Sequence, residues 1–351
     1  MSVLDKIKKN TTIKDSAILA KSKFFNEKDM IPTPVPAINI ALSGSLDGGI
    51  TPGLTMWAGP SKHFKTAFSL LMAKSYLDRY EDAALLFYDS EFGSPQSYFT
   101  SFGIDTDRVL HTPITDVEQL KVDIMNQINE LDRTDKIMII IDSIGNLASK
   151  KEVEDALDGK SVADMSRAKQ IKSLFRMVTP HLTLKDIPMV VVNHTYKEIG
   201  MFPKDIVGGG TGSYYSADNI YIIGRQQQKD GKETTRYNFI INVEKSRYVK
   251  EKSKIPVSVS FDGGISKWSG LLDLALESGH VVKPKAGWYQ RAGEEKNYRE
   301  KDTDTKDFWL PILTDRIFYE FVKDKYSIGN VSMVQSDDLD QALEELEFED
   351  E

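Results

Sequence analysis

The sequence predicts an α/β domain whose central sheet is mostly parallel, twisted and covered by helices. Three observations predict it. Short runs of strand type recur through residues 52–265: LTMWAG, AALLFYDS, KIMIIIDS, PMVVVNH, NIYIIG and YNFIINVEKS. Several are apolar at every position, as strands buried on both faces must be. Amphipathic segments separate the first four, among them KTAFSLLMAKSYLDRY, VEQLKVDIMNQINEL and SRAKQIKSLFRMVTPHL, so strand and helix alternate.

The elements follow in order. Residues 1–30 mix Lys, Asp and short apolar runs, which predicts a helix followed by an extended arm. The three prolines of IPTPVPAINIALSG predict an extended linker into the main domain, expected over 31–268. NIYIIG and YNFIINVEKS lack long intervening helices and are expected as antiparallel additions to the sheet. From about residue 270 the texture changes to a small C-terminal α/β domain, expected over 269–330. Its segments SGLLDLALESGHVVKPKAGWYQR and FWLPILTDRIFYEFVKDKY read as helical around a GWY turn, with charge-rich EEKNYREKDTDTKD between them.

Composition narrows the class. The chain has 351 residues, 40% of them hydrophobic, no Cys, and no apolar run approaching a membrane span. The missing cysteines exclude disulfides and thiolate metal sites and suit a reducing compartment. MSVLDKIKKNTTIKDS lacks the apolar stretch of a signal peptide, so a cytoplasmic address is expected. The net charge of −8 is unevenly spread: residues 337–351 hold nine acidic and no basic residues, leaving the rest at +1. A near-neutral body with local basic patches can bind polyanions. The acidic tail, 331–351, reads either as a solubilising end or as a helix on docking, with Leu339, Leu343 and Leu346 on one face.

Residues 58–67, AGPSKHFKTA, follow the first strand and open the first long helix. A phosphate-binding loop takes the form G-x-x-x-x-G-K-[ST], and here Gly59, Lys65 and Thr66 match while Phe64 stands at the second glycine. The backbone amides of Gly59, Pro60 to Phe64 and Ala67 would be unaffected by that side chain, save for proline's missing N–H. Phe64 is expected at negative φ with its ring turned from the nucleotide. Other polar residues also sit at strand ends, where open α/β sheets bind ligands. Asp89 and Glu91 follow LLFY, Asp142 and Ser143 follow IMIII, and Asn193 and His194 follow MVVV. An acid directly after β-branched residues is the Walker B pattern, in which Asp142 holds Mg²⁺ beside the Thr66 hydroxyl. With it, the loop reads as a nucleotide site for ATP: Ser61, Lys62 and His63 line it, and Lys65 neutralises the β- and γ-phosphates.

Each further residue carries two readings. Glu91 is a surface or capping carboxylate, or the group that polarises a water for attack on the γ-phosphate. His194 is a strand-end histidine on a carbonyl, or a γ-phosphate sensor. Lys245 and Arg247 form part of an exposed basic strand, or reach a transferring phosphoryl group.

Taken in order, SKFFNEKD, AGPSKHFKT, LLFYDSEFG, DSIGNLASKKEVEDAL, NHTY, GGGTG and VEKSRYVKEKSK resemble the RecA family of strand-exchange recombinases, most of all its UvsX-type branch in T-even-like phages. The resemblance spans about residues 20–330. It implies a RecA-type P-loop ATPase core, with an N-terminal segment that docks on the adjacent protomer to build a helical filament. It implies that Glu91 activates the attacking water and that Tyr98, otherwise a core tyrosine, stacks on adenine. His194 falls where bacterial members carry a glutamine linking the γ-phosphate to a DNA loop. Lys245 and Arg247 match a basic pair that reaches the neighbouring subunit's ATP.

Two DNA-binding loops are implied, at about 154–167 and 195–213. The first carries Lys160 and Arg167. The second offers Lys197 and Lys204 for phosphates, Met201 and Phe202 as wedges between bases, and Gly208, Gly209 and Gly210 for close backbone approach; it reads otherwise as a surface loop. The implied function is DNA-dependent ATP hydrolysis driving homologous pairing of single-stranded DNA with a duplex, assisted by mediator and single-strand-binding proteins. The alternative is a ring-forming motor or helicase on the same core. A phosphotransferase fits less well, because the chain carries a polymerisation-type arm in place of lids.

Overall fold

The computed structural model describes residues 2–13, 16–22, 29–159, 166–198, 205–230, 233–260 and 263–329. The acidic tail, Lys160, Met201, Phe202 and Lys204 lie outside them.

Helix α1 (Val3–Asn10) opens the chain with a capping box between Ser2 and Asp5 and buries no residue. The proline-rich stretch is non-helical, as its composition predicts, only as far as Val35. From Pro36 it forms helix α2 (Pro36–Ser43), with Ala37–Ser43 buried. Pro36 sits in the first turn, where its missing N–H costs nothing, and Gly44 ends the helix at φ 76°.

Alternation then runs as expected: β1 (Gly53–Ala58), α3 (Lys65–Arg79), β2 (Ala84–Asp89), α4 (Gln96–Ser101), β3 (Val109–Pro113), α5 (Val117–Glu130), β4 (Ile137–Asp142), α6 (Lys150–Leu157), α7 (Ser166–Lys185) and β5 (Pro188–Asn193). A short hairpin, β6 (Thr195–Lys197) and β7 (Asp205–Val207), leads through α8 (Thr211–Ser216) to β8 (Asn219–Asp230). Strands β9 (Glu233–Lys245), β10 (Lys254–Ser260) and β11 (Gly264–Ile265) complete the sheet.

Its order is β11-β10-β9-β8-β1-β5-β4-β2-β3. The six strands from β8 to β3 are parallel. β9, β10 and β11 extend the β8 edge antiparallel, so that expectation holds for YNFIINVEKS. NIYIIG differs: α8, packed on α7, returns the chain so that β8 runs parallel to β1. Each face carries its own core, and β4 feeds both. Met138 and Ile140 join the side of α2 and α3; Ile139 and Ile141 join that of α5 and α7.

The C-terminal segment comprises α9 (Leu271–Glu277), β12 (Val281–Lys285), β13 (Trp288–Arg291), α10 (Lys306–Leu313) and α11 (Arg316–Tyr326). VVKPKAGWYQR is therefore a hairpin turning at Gly287, not a helical segment. Its β-branched start and the φ of 72° at Gly287 favour that turn. Leu271, Phe308, Phe318 and Val322 share one core with Ile38, Phe239 and Val257. Among the described residues, no helix is long and apolar enough to cross a membrane.

Arg167, in the first turn of α7, is a clamp on backbone. Its Nε donates to the carbonyl of Leu147 at 2.6 Å, and one terminal nitrogen donates to Ile144 at 3.0 Å and Gly145 at 2.8 Å. These carbonyls belong to the turn that follows Asp142. Arg167→Ala leaves them short of donors and should cost about 1–3 kcal/mol in urea unfolding. A variant of unchanged stability and weakened single-strand binding would instead assign the guanidinium to DNA.

Candidate nucleotide site

Strand register assembles the site before any loop is considered. Ala58 lies opposite Asn193, and Asp89 opposite Asp142, so the carboxyl ends of β1, β5, β4 and β2 finish together. A cleft of about 420 Å³ opens there, lined by Ser61 to Ala67, Glu91, Tyr98, Asp142 and His194 among others.

The loop from Gly59 to Phe64 joins β1 to α3. Gly59 has φ 156°, and a Cβ there would meet the Ile223 carbonyl oxygen at 3.0 Å. Phe64 departs from expectation. Its φ is +58°, so the residue adopts the left-handed conformation that glycine supplies in the consensus loop. That backbone costs a non-glycine residue about 1–2 kcal/mol. The Phe64 ring lies 4.8 Å from Phe239 and 6.4 Å from Phe68, contacts worth about 0.5–1.5 kcal/mol each in such pairs. The aromatic cluster thus offsets the strain, and the ring packs against β9 rather than across the loop. Lys62 also has positive φ, 60°, and its carbonyl accepts from Arg225. No side chain caps the start of α3, leaving its first amides free for an anion.

Lys65 is buried, and its ammonium donates to the Pro60 carbonyl at 2.8 Å. Burial lowers its pKa, opposed by the charges of Glu91 and Asp142. Thr66 Oγ1 donates to Asp142 Oδ2 at 2.6 Å. Asp142 Oδ1 is buried with no partner. Burial pushes the Asp142 pKa up to about 6, and Glu91 and Asp89 add repulsion, although the Thr66 hydrogen bond pulls the other way. An orphaned, buried carboxylate oxygen beside a threonine hydroxyl suits a divalent cation, and Mg²⁺ commonly takes only one or two protein ligands. The donor set fits Mg²⁺.

Glu91 is held by its neighbours. Ser143 Oγ donates to its Oε1 at 2.6 Å, and His194 Nε2 lies 2.8 Å from the same oxygen. The His194 bond, then that of Ser143, holds the Glu91 carboxyl down to about 2 against desolvation. Sequence reasoning placed Asp89, Ser143 and Asn193 at strand ends without giving them roles. Asp89 Oδ1 accepts the amides of Glu91 at 3.0 Å and Phe92 at 2.7 Å and so shapes the loop carrying Glu91. Asn193 Nδ2 donates to the Gly208 carbonyl at 2.8 Å. Tyr98, half-buried on α4, lines both the cleft and an adjoining apolar groove that includes Phe102 and Ile265.

The remaining residues separate into two places. The β6–β7 hairpin begins directly after His194, whose carbonyl accepts the Gly208 amide at 2.9 Å. Lys197 on β6 pairs with Asp205 at 2.9 Å. Gly209 and Gly210 have φ of 88° and 75°, so glycine is needed there for conformation. Lys245 and Arg247 stand elsewhere. Lys245 donates to the carbonyls of Tyr214 and Tyr215 at 3.0 and 3.2 Å, and Arg247 Nε contacts Asp218 Oδ1. Asp218 is bound to Leu54 at the amino end of β1. Arg247 is therefore about 15 Å along the strand direction from the loop that begins at Gly59.

Comparison with known proteins gives these features a lineage. The family model for the RecA N-terminal domain matches residues 2–266. That for the C-terminal domain of the bacteriophage T4 recombination and repair protein matches residues 268–322. The chain is 52% identical over 333 residues to the recombination and repair protein of Enterobacteria phage T4, covering 92% of this chain and 85% of the relative. It is 26% identical over 307 residues to protein RecA of Streptomyces rimosus, covering 86% and 78%. Protein RecA of Syntrophus aciditrophicus is likewise 26% identical, over 271 residues covering 76% and 75%. The chain belongs to the RecA family.

Proposed function

We propose that the chain is a DNA-dependent ATPase of phage recombination and repair, which assembles head to tail on single-stranded DNA and pairs it with a homologous duplex in the host cytoplasm. One observation carries the reading. Lys65, Thr66, Glu91, Asp142 and His194 converge on one cleft, whereas the two cations that hydrolysis also needs stand at the far end of the sheet.

The phosphates of ATP would lie on the free amides at the start of α3, with Lys65 leaving the Pro60 carbonyl for the β- and γ-phosphates. Thr66 and Asp142 would hold Mg²⁺, which when bound neutralises charge shared between the β- and γ-phosphate oxygens. Tyr98 would stack on the base. Glu91 orients and deprotonates the attacking water. At a pKa of about 2 it is a feeble base while Ser143 and His194 both occupy Oε1. His194 turning toward a γ-phosphate would remove the stronger of the two bonds to that oxygen, leaving only Ser143, and make the carboxylate more basic. Because the His194 backbone also closes the β6–β7 hairpin, the same rotation is felt at the second DNA loop. That loop, with Lys197 and the glycines 208–210, supplies the electrostatic and close-approach contacts a single strand needs. The glycines and Lys160, Met201, Phe202 and Lys204 remain assigned to DNA as part of this proposal, whereas Arg167 is assigned to the turn that follows Asp142. Mediator and single-strand-binding proteins would load the filament.

Lys65→Ala should abolish ATP turnover. Glu91→Gln should bind ATP nearly as the parent does and hydrolyse it slower by about 10²-fold or more. Steady-state hydrolysis with and without single-stranded DNA checks both, and normal turnover in Glu91→Gln removes it from the mechanism. Arg247→Ala should lose DNA-stimulated turnover while isolated protomers still bind ATP. Mixed with Lys65→Ala, it should regain activity, because each neighbour supplies what the other lacks. Mixtures no more active than the separate variants would refute action across the interface.

A further inference from the structure

We infer that Asp218 is a positioning residue that presents Arg247 to the nucleotide of the neighbouring protomer. The inference rests on the proposed action of Arg247 across the interface. Asp218 is 8% exposed, whereas the Arg247 side chain is 68% exposed. A buried carboxylate therefore grips an exposed guanidinium by its Nε and leaves the outer face of the fork free. A guanidinium has five N–H donors in a rigid fan, so a grip at Nε directs the terminal nitrogens outward.

The carboxylate is itself fixed. Its Oδ2 accepts the Leu54 amide at 2.8 Å, and the Asp218 amide donates to the Leu54 carbonyl at the same distance. Gly53 permits that approach, since a Cβ there would lie 2.2 Å from Asp218 Oδ2. Asn219, fully buried, holds the segment from the other side. Its Oδ1 accepts from Ser246 Oγ at 2.9 Å and from the Arg247 amide at 3.4 Å. Backbone and side chain of Arg247 are thus both registered on Asp218, just before β8, and Asn219, its first residue, and through Leu54 on β1, whose other end begins the phosphate loop. An exposed arginine otherwise samples many rotamers, and fixing one in advance removes that cost from the reaction step. The role is positional, because Asp218 is buried behind the Arg247 guanidinium, against the amino end of β1.

Asp218→Asn keeps an acceptor for the Leu54 amide and removes the charge that holds Arg247. DNA-stimulated kcat should fall about tenfold, with KM for ATP and single-strand affinity within about twofold of the parent. The double variant Asp218→Asn/Arg247→Ala should be no slower than Arg247→Ala alone. Mixing gives the decisive arm. Asp218→Asn combined with Lys65→Ala should regain turnover, because the Lys65→Ala protomer offers an intact Asp218–Arg247 pair to a neighbour with an intact phosphate loop. A misfolded Asp218→Asn protomer, or one needing Asp218 for its own cleft, would not be rescued, and either result overturns the inference. Normal turnover in Asp218→Asn beside an impaired Arg247→Ala would overturn the assignment to Asp218 alone. Normal turnover in Arg247→Ala would remove the underlying reading as well.

Discussion

The hydrogen bond from Thr66 to Asp142 is the contact on which the rest of the site depends. It joins the start of α3 to the end of β4, two elements separated in sequence by two strands and a helix pair. Because it occupies one carboxylate oxygen and leaves the other buried without a partner, it makes a place for a cation rather than a closed ion pair. Lys65 is adjacent in sequence, and the charges of Glu91 and Asp142 favour its ammonium form against the cost of burial. Everything else is arranged around that unsatisfied oxygen. Asp89 shapes the loop that brings Glu91 near it, and Ser143, next along from Asp142, restrains Glu91.

Much of this was legible in the sequence because a parallel sheet converts chain order into spatial order. Each strand ends at the same edge, so the residue following an apolar run is a site residue by geometry alone. AGPSKHFKT, LLFYDSE, IMIIIDS and VVVNH needed no knowledge of packing to be read together. What escaped depends on contacts between distant segments. The positive φ of Phe64 is tolerable because Phe239, on β9 and distant in sequence, packs against its ring. Local rules alone favour negative φ for such a residue. Strand β3 was missed because VLHTP sits at the sheet edge with Leu110 exposed, and so shows no apolar run. Helix α2 was hidden by Pro36 and the two prolines before it, since proline marks a linker or a first helical turn equally well.

The same geometry explains why reading motifs and describing roles are different tasks. Lys245 and Arg247 look like one basic strand end in sequence, yet Lys245 is tied to the carbonyls of Tyr214 and Tyr215 in α8 and Arg247 to Asp218 just before β8. Arg167 looks like a loop cation and is engaged with three carbonyls. Counting positive charges along a loop therefore overstates what is free for phosphate, because a guanidinium committed to backbone carbonyls contributes its charge but little of its hydrogen bonding.

The separation of the cleft from Arg247 also constrains assembly. In a two-fold dimer the contact is one patch meeting its own copy, so both halves of a shared site must lie on a single face. Here the cleft lies at the carboxyl edge of the sheet and Arg247 toward its amino edge, so no single patch holds both. A site completed by a neighbour's Arg247 therefore demands a head-to-tail contact, in which each protomer uses one face to receive and the opposite face to give. Such contacts propagate, and a helical filament results whenever the rotation between neighbours does not close. In an open filament the last protomer at one end has a cleft with no neighbour to complete it. Hydrolysis would then be a property of the assembled polymer, and DNA, by setting polymer length, would set how many protomers turn over.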